Sequence, residues 1–300
     1  MRFLPRPKTY DLIGKVVLIT GGNGGIGSAA ATELLRRGAR VTIADLAADT
    51  PERAARLHAA QALGVIADVR RRDELADAVA ATVERFGRVD VVIANAGLLP
   101  KAATLRTTPE SDVDTALAVN VSGVVNTVDA ALEQVLANHG QVVLISSVFA
   151  FVNGMGTIPY AMSKAAVEQL GRALRIELTD AGASVLTAYF SLVDTAMIKH
   201  GVDEDPLVLD LLGALPKSLM KRVTPTSAAN AIADGLERRT PRVIHPSRWS
   251  AISAARGVIG PALDKKLTTD RTVLDVLARL DQRGPHQQSS TTTTSRKKIS

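Results

Sequence analysis

Cysteine is absent from this 300-residue chain. Disulfides, thiolate metal sites and cysteine nucleophiles are thereby excluded. Aromatic side chains make up only 3%, which is too few for a base-stacking surface, and nucleic acid is not an expected partner. No apolar run reaches the roughly 18 residues of a spanning helix. The N-terminus MRFLPRPKTYDL lacks the apolar centre of a secretory signal. These absences leave a cytoplasmic setting as the expectation. His58, His139, His200, His245 and His286 are scattered and form no cluster with carboxylates. No metal site is therefore expected.

Hydrophobic residues reach 46%, ample for a large core, and the formal charge is +6. That charge is dispersed: Arg70-Arg71-Arg72 runs at once into Asp73-Glu74. Such a run reads as a solvated face, not a phosphate-tracking patch.

Short apolar runs alternate with helical stretches along the chain. KVVLIT (15–20), ARVTIAD (39–45), GVIADV (64–69), RVDVVIANAG (88–97), QVVLISS (141–147) and ASVLTAYF (183–190) read as buried strands. Residues 51–62, 73–86, 109–137 and 158–180 read as helices. This order predicts an α/β fold of the Rossmann kind, a doubly wound parallel sheet with helices on both faces. One catalytic and dinucleotide-binding domain is expected over 1–250, with a substrate loop at 196–222. A helical extension over 251–284 and a low-complexity, disordered tail over 285–300 follow.

TGGNGGIG lies between the first strand and the first helix. Glycines at 21, 25 and 27 allow a tight turn and close approach to a pyrophosphate, whose charge the helix-start amides meet. Asn23 and Ile26 belong to the same loop. Asp45 ends the next strand, where a carboxylate accepts hydrogen bonds from the adenosine ribose. A 2′-phosphate would meet like charge there, and Leu46 offers no compensating cation. NAD is therefore expected over NADP. Asp68 and Val69 are candidates for the adenine edge, with a capping role as the alternative for Asp68. Asn95-Ala96-Gly97 is small enough to pack against the dinucleotide.

Tyr160 and Lys164 stand four residues apart and share a helix face. A tyrosine is a weak base, with a pKa of about 10. A neighbouring ammonium and a cationic nicotinamide would ease its proton transfer. Ser147 can hold a substrate oxygen and stabilise developing charge.

Together these motifs resemble the short-chain dehydrogenase/reductase family, over approximately residues 12–245. The resemblance rests on the run Thr20 to Gly27, Asp68-Val69, Asn95-Ala96-Gly97, Asn120, Ser147 and Tyr160-Ala-Met-Ser-Lys164. It implies Tyr160 as catalytic acid/base, Lys164 as promoter of its proton transfer and holder of the nicotinamide ribose, and Ser147 as the substrate-orienting hydroxyl. It implies for Asn120 a role in helix geometry and a proton-relay water. It also implies a homodimer or homotetramer, with contacts from the helix after Asn120 and the helix of Tyr160. Family members usually carry Pro-Gly before a loop that contacts the nicotinamide. Here Phe190-Ser191 stands instead, followed by Val193 and Thr195 as expected carboxamide contacts.

Phe149, Phe151, Val152, Met155 and Ile158 fall near the expected mouth, and Met197 and Ile198 begin the substrate loop. Ser147, Phe149, Val152, Met155 and Met197 form the expected pocket. They point to a hydrophobic secondary alcohol or ketone of the steroid, terpene or lipid kind. The competing readings are an NADPH-dependent carbonyl reductase and a dinucleotide-binding protein of low turnover. Trp249, Ile252, Ile259 and Leu263 recur at helical spacing. They read first as a helix packed on the domain. A cap over the site, a subunit contact and a shallow, peripheral membrane contact are the alternatives.

Overall fold

The computed structural model describes residues 10–284. The first half runs β1 (Val16–Thr20), α1 (Gly25–Arg36), β2 (Arg40–Asp45), α2 (Thr50–His58), β3 (Ala62–Ile66), α3 (Arg72–Phe86) and β4 (Val91–Ala94). Next come α4 (Glu110–Leu117), α5 (Gly123–Ala137), β5 (Gln141–Ser147), α6 (Ile158–Glu177) and β6 (Ser184–Phe190). The remainder holds α7 (Ala196–Ile198), α8 (Pro206–Gly213), α9 (Lys217–Met220), α10 (Pro225–Glu237), β7 (Arg242–His245), α11 (Trp249–Ala254), α12 (Arg256–Leu267) and α13 (Arg271–Gln282). The tail expected over 285–300 lies outside the described residues.

The strands form one parallel seven-stranded sheet in the order β3-β2-β1-β4-β5-β6-β7. The near-continuous apolar strands follow from burial on both faces. In β1, Val17 and Ile19 face the core beneath α1 and α10, while Leu18 faces the core beneath α3, α5 and α6. In β5, Val143 and Ile145 go one way, Val142 and Leu144 the other. The order reverses between β1 and β4. That switch point opens a crevice at the strands' carboxyl ends, where ligands bind in such sheets.

Two expected elements move, at 64–69 and at 248–263. The strand read at 64–69 is Ala62–Ile66, so Asp68 lies in the turn beyond it. Gly64 is an interior strand residue, because the start of α2 packs on it: a Cβ there would lie 2.3 Å from the Thr50 carbonyl oxygen. The 109–137 stretch is one continuous helix with a π-helical segment at Ala118–Ser122. Over Glu110–Ala137 it is long and apolar enough to cross a membrane, with mean hydropathy 1.3 in an 18-residue window, yet 44% of that window is buried in the protein. It packs on α3, α6 and the sheet, as the core helix of this layer. The stretch 248–263 breaks at Ala255 into α11 and α12.

A third, smaller core joins α8 to the C-terminal helices through Leu207, Leu211, Leu267, Val273, Val276 and Leu280. Asp205 caps α8 and takes a two-pronged ion pair from Arg283 at 2.6 and 2.5 Å. α8, in the stretch expected as a substrate loop, and the C-terminal helices thus pack as one layer.

Candidate active site

The glycine loop is shaped by contacts that exclude side chains. Gly21 has φ of +64°, and a Cβ on it would lie 2.7 Å from the Ala96 Cα. A Cβ on Gly25 would lie 2.4 Å from the Thr195 methyl, and one on Gly27 would lie 2.4 Å from the Gly21 carbonyl oxygen. Asn95 braces the turn, its amide donating to the Thr20 and Gly21 carbonyls at 3.0 and 2.9 Å. Its side chain therefore holds the loop, while Ala96 and Gly97 line the cleft beside it.

The cleft has a volume of about 510 Å³. Gly21, Asn23, Gly25, Ile26, Asp45, Leu46, Asp68 and Val69 line it, together with Tyr160, Lys164, Val193 and Thr195. Asp45 accepts from the Asn23 backbone at 3.0 Å, which points its carboxylate at the loop. The Asn23 amide itself is committed to Thr50 at 2.7 Å. The Arg70 guanidinium beside Asp68 holds that carboxyl below the usual range and occupies it. Val69 is set by Asn126, which donates to its carbonyl at 3.0 Å. Lys164 is the only cation among the lining residues.

The Phe190-Ser191 departure leaves the expected loop in place. Val193 bridges Val223 in parallel, through Asp194 N donating to the Val223 carbonyl and Val223 N donating to the Leu192 carbonyl, both at 3.0 Å. Such a bridge uses the neighbours' groups and leaves Val193's own N–H and C=O facing away. Neither is engaged by another of the described residues. Arg222 ties the loop down through Asp194 and Asp203. The Thr195 hydroxyl accepts from Ile198 N at 3.4 Å and so starts α7.

Ser147 ends β5, and its hydroxyl donates to the Phe190 carbonyl and accepts from Phe149 N, both at 3.2 Å. Tyr160 opens onto the cleft from the first turn of α6, edge-on to Phe149 at 5.9 Å. Burial raises its pKa, and the Ser147 hydroxyl opposes that rise. Lys164 Nζ donates to the Ile145 carbonyl at 3.0 Å and lies 5.5 Å from the Tyr160 ring centre. Burial is the larger of the two effects on the phenol. Asn120 sits in the π-helical segment, wholly buried. It exchanges hydrogen bonds with Leu98 N and O at 2.8 and 2.9 Å and donates to Ser163 at 3.0 Å.

Burial also pushes the Lys164 ammonium down to about 8 from 10.5. Between those values the unfolded chain binds the extra proton. Stability therefore rises with pH across that window, by on the order of 3 kcal/mol in total. Thermal melts of the dinucleotide-free protein at pH 7.5 and 10, compared with Lys164→Met, isolate this contribution. The variant is expected to lack the rise, and a parallel response in both proteins would contradict it.

A second cavity of about 340 Å³ meets the cleft. Ser147, Phe149, Val152 and Met155 line it, as expected. Met197 does not: it faces the dinucleotide cleft and an outer cleft beside Lys101 and His200. Successive helical residues point about 100° apart, so in α7 Ile198 reaches the cavity and Met197 turns away. Phe151 packs on Tyr189 at 5.8 Å instead. Trp249, Ile252, Ile259 and Leu263, for which a cap over the site was one of the alternatives to a packed helix, all line this cavity. Their helical spacing was the signal. Two ties fix the cap, Arg256 to buried Glu168 at 2.7 Å and Asn153 to Asp264 at 2.9 Å. Thr157 Oγ1, Ser191 Oγ and Trp249 Nε1 are buried there without partners among the described residues.

A parallel sheet with a glycine-lined dinucleotide cleft and a serine, tyrosine and lysine at its mouth defines a nicotinamide-dependent oxidoreductase. The short chain dehydrogenase family model matches residues 15–205. The chain belongs to the short-chain dehydrogenase/reductase family. It is 35% identical over 210 residues to a 2-(R)-hydroxypropyl-CoM dehydrogenase of Xanthobacter autotrophicus, covering 68% of this chain and 84% of that one. It is 34% identical over 172 residues to a cis-2,3-dihydrobiphenyl-2,3-diol dehydrogenase of Paraburkholderia xenovorans, covering 56% and 62%. Its fold is similar to that of a 3-ketoacyl-(acyl-carrier-protein) reductase from Brucella melitensis complexed with NADH, with a TM-score of 0.67 and 24% identity over 78% of this chain and 97% of that one.

Proposed function

We propose that the protein transfers hydride between NAD(H) and an apolar secondary alcohol or its ketone. The observation that carries this reading is the meeting of the dinucleotide cleft with an apolar cavity at Tyr160. The bound nicotinamide supplies or accepts the hydride. Tyr160 takes or returns the carbinol proton, and Ser147, anchored on backbone at both sides, holds the carbinol oxygen. Lys164 remains largely cationic at neutral pH and favours the phenolate from beneath the ring. Asn120 fixes the turn at Leu98 and the hydroxyl of Ser163, so it acts by positioning.

The residues present suit a dinucleotide. The glycines form a cradle that any Cβ would fill, and Val193 keeps a free amide and carbonyl beside it. Asp45, and the absence of any cation but Lys164 among the described residues that line the cleft, support NAD over NADP. At about 340 Å³ the cavity is within the usual range of small-molecule sites, roughly 300–1,000 Å³. Its apolar lining supports a steroid-, terpene- or lipid-like body. The two relatives named above are dehydrogenases of hydroxylated compounds, which supports the alcohol side of the reaction. Exposed Val125 on α5 and Met162 and Ile176 on α6 support the homodimer or homotetramer.

Parallel titrations with NADH and NADPH at matched ionic strength test the reading. NADH is expected to bind at least tenfold more tightly, about 1.4 kcal/mol, and Asp45→Ala is expected to narrow the gap. Tighter NADPH binding would favour the reductase reading, and binding of neither would favour the low-turnover one. Light scattering on the same sample reads the assembly, and a monomer would remove that part of the proposal.

A further inference from the structure

Three residues line both the dinucleotide cleft and the apolar cavity: Tyr160, Ser191 and Ile198. The reacting carbon must sit where the two spaces meet, so these side chains surround it. Tyr160 has its role there, and Ile198 is apolar. Ser191 remains, a side chain where the family's usual pattern has glycine.

Ser191 is placed with care. Phe190 is the register partner of Ser147 across β5 and β6, and the Ser147 hydroxyl donates to the Phe190 carbonyl at 3.2 Å. Ser191 follows directly, its backbone N donating to the His245 carbonyl at 3.3 Å. From strand spacing and rise, its Cα lies about 6 Å from that of Ser147. Its hydroxyl is buried and has no partner among the described residues. A buried hydroxyl without a partner costs free energy that a bound ligand can recover. Binding a ligand at the junction would take a rotation of this side chain about one bond.

Ser147 and Tyr160 already serve one oxygen, that of the carbinol. A third hydroxyl one residue beyond Ser147 reaches an oxygen one carbon away. We infer that Ser191 binds a second oxygen vicinal to the reacting carbinol, so that the substrate is an apolar vicinal diol or α-hydroxy ketone. The second oxygen is held and not oxidised. This rests on the apolar-alcohol reading above.

The test compares 1-indanol with cis-1,2-indanediol as NAD-linked substrates of the full chain. The wild type is expected to favour the diol in kcat/KM by about tenfold, the worth of one hydrogen bond of roughly 1.4 kcal/mol. Ser191→Ala and Ser191→Gly are expected to bring that ratio close to one. NADH titration of each variant reports folding and the cleft. A ratio unchanged by both substitutions would overturn the assignment. So would an equal fall for both substrates with weakened NADH binding, since Ser191 would then serve the dinucleotide. Turnover of neither substrate by a wild type that binds NADH would overturn the apolar-alcohol reading itself, and this assignment with it.

Discussion

Tyr160→Phe is expected to lower turnover by a factor on the order of 10³, within the range that general acid–base groups supply. NADH affinity is expected to change by less than about threefold, well under 1 kcal/mol. The reason lies in what the substitution keeps. The phenyl ring remains in the first turn of α6 and edge-on to Phe149, where centroids stand 5.9 Å apart at 81°. Lys164 keeps its bond to the Ile145 carbonyl, and Ser147 keeps its backbone anchors. Only the hydroxyl proposed to move the carbinol proton is lost. Single-turnover kinetics with a saturating dinucleotide separate this loss from binding. Undiminished turnover would remove Tyr160 from the proton path.

Gly21→Val is expected to do the reverse, losing the cofactor first. Gly21 has φ of +64°, in the region a β-branched residue rarely enters. The added Cβ would also meet Ala96 through its Cα at 2.7 Å and its N at 3.0 Å. Those are backbone atoms beside β4, braced by Asn95 on the same turn. No side chain can swing aside, so the loop must leave its place. A strained backbone position and the clash together cost about 3 kcal/mol or more. The melting temperature is expected to fall by roughly 6–12 °C at 2–4 °C per kcal/mol. NADH binding should weaken by at least 100-fold, about 2.7 kcal/mol, as the helix-start amides lose their aim. Calorimetric titration measures it, and near-wild-type affinity would show that the loop does not cradle the dinucleotide.

Local patterns made much of the site readable. The glycine run lies within one strand-turn-helix unit, and Tyr160 and Lys164 lie within one helical turn. β5 begins and ends at the residues read from its apolar run, Gln141–Ser147. Other features left weak traces. β7 is a short edge strand, Arg242–His245, with half-buried side chains and little apolar run. β3 was read at 64–69 and lies at Ala62–Ile66, with Gly64 inside it because α2 packs there. Phe190-Ser191 stands where the family usually has Pro-Gly. The bridge from Val193 to Val223 that follows, with Arg222 as anchor, joins segments that sequence cannot pair.

The sequence by itself determined the fold class, the family and the residues offered for proton transfer. Each depends on spacing within a few turns or on alternation of short elements, which chain stereochemistry converts directly into geometry. Tertiary structure alone decided that Trp249, Ile252, Ile259 and Leu263 roof the cavity, that Met197 turns to the cleft, and that Ser191 stands unpartnered at the junction. It did so through contacts such as Arg256 with Glu168, 88 positions apart. Such contacts are set by how whole layers pack, because burial is a property of surfaces that meet in space and leaves no fixed interval along the chain.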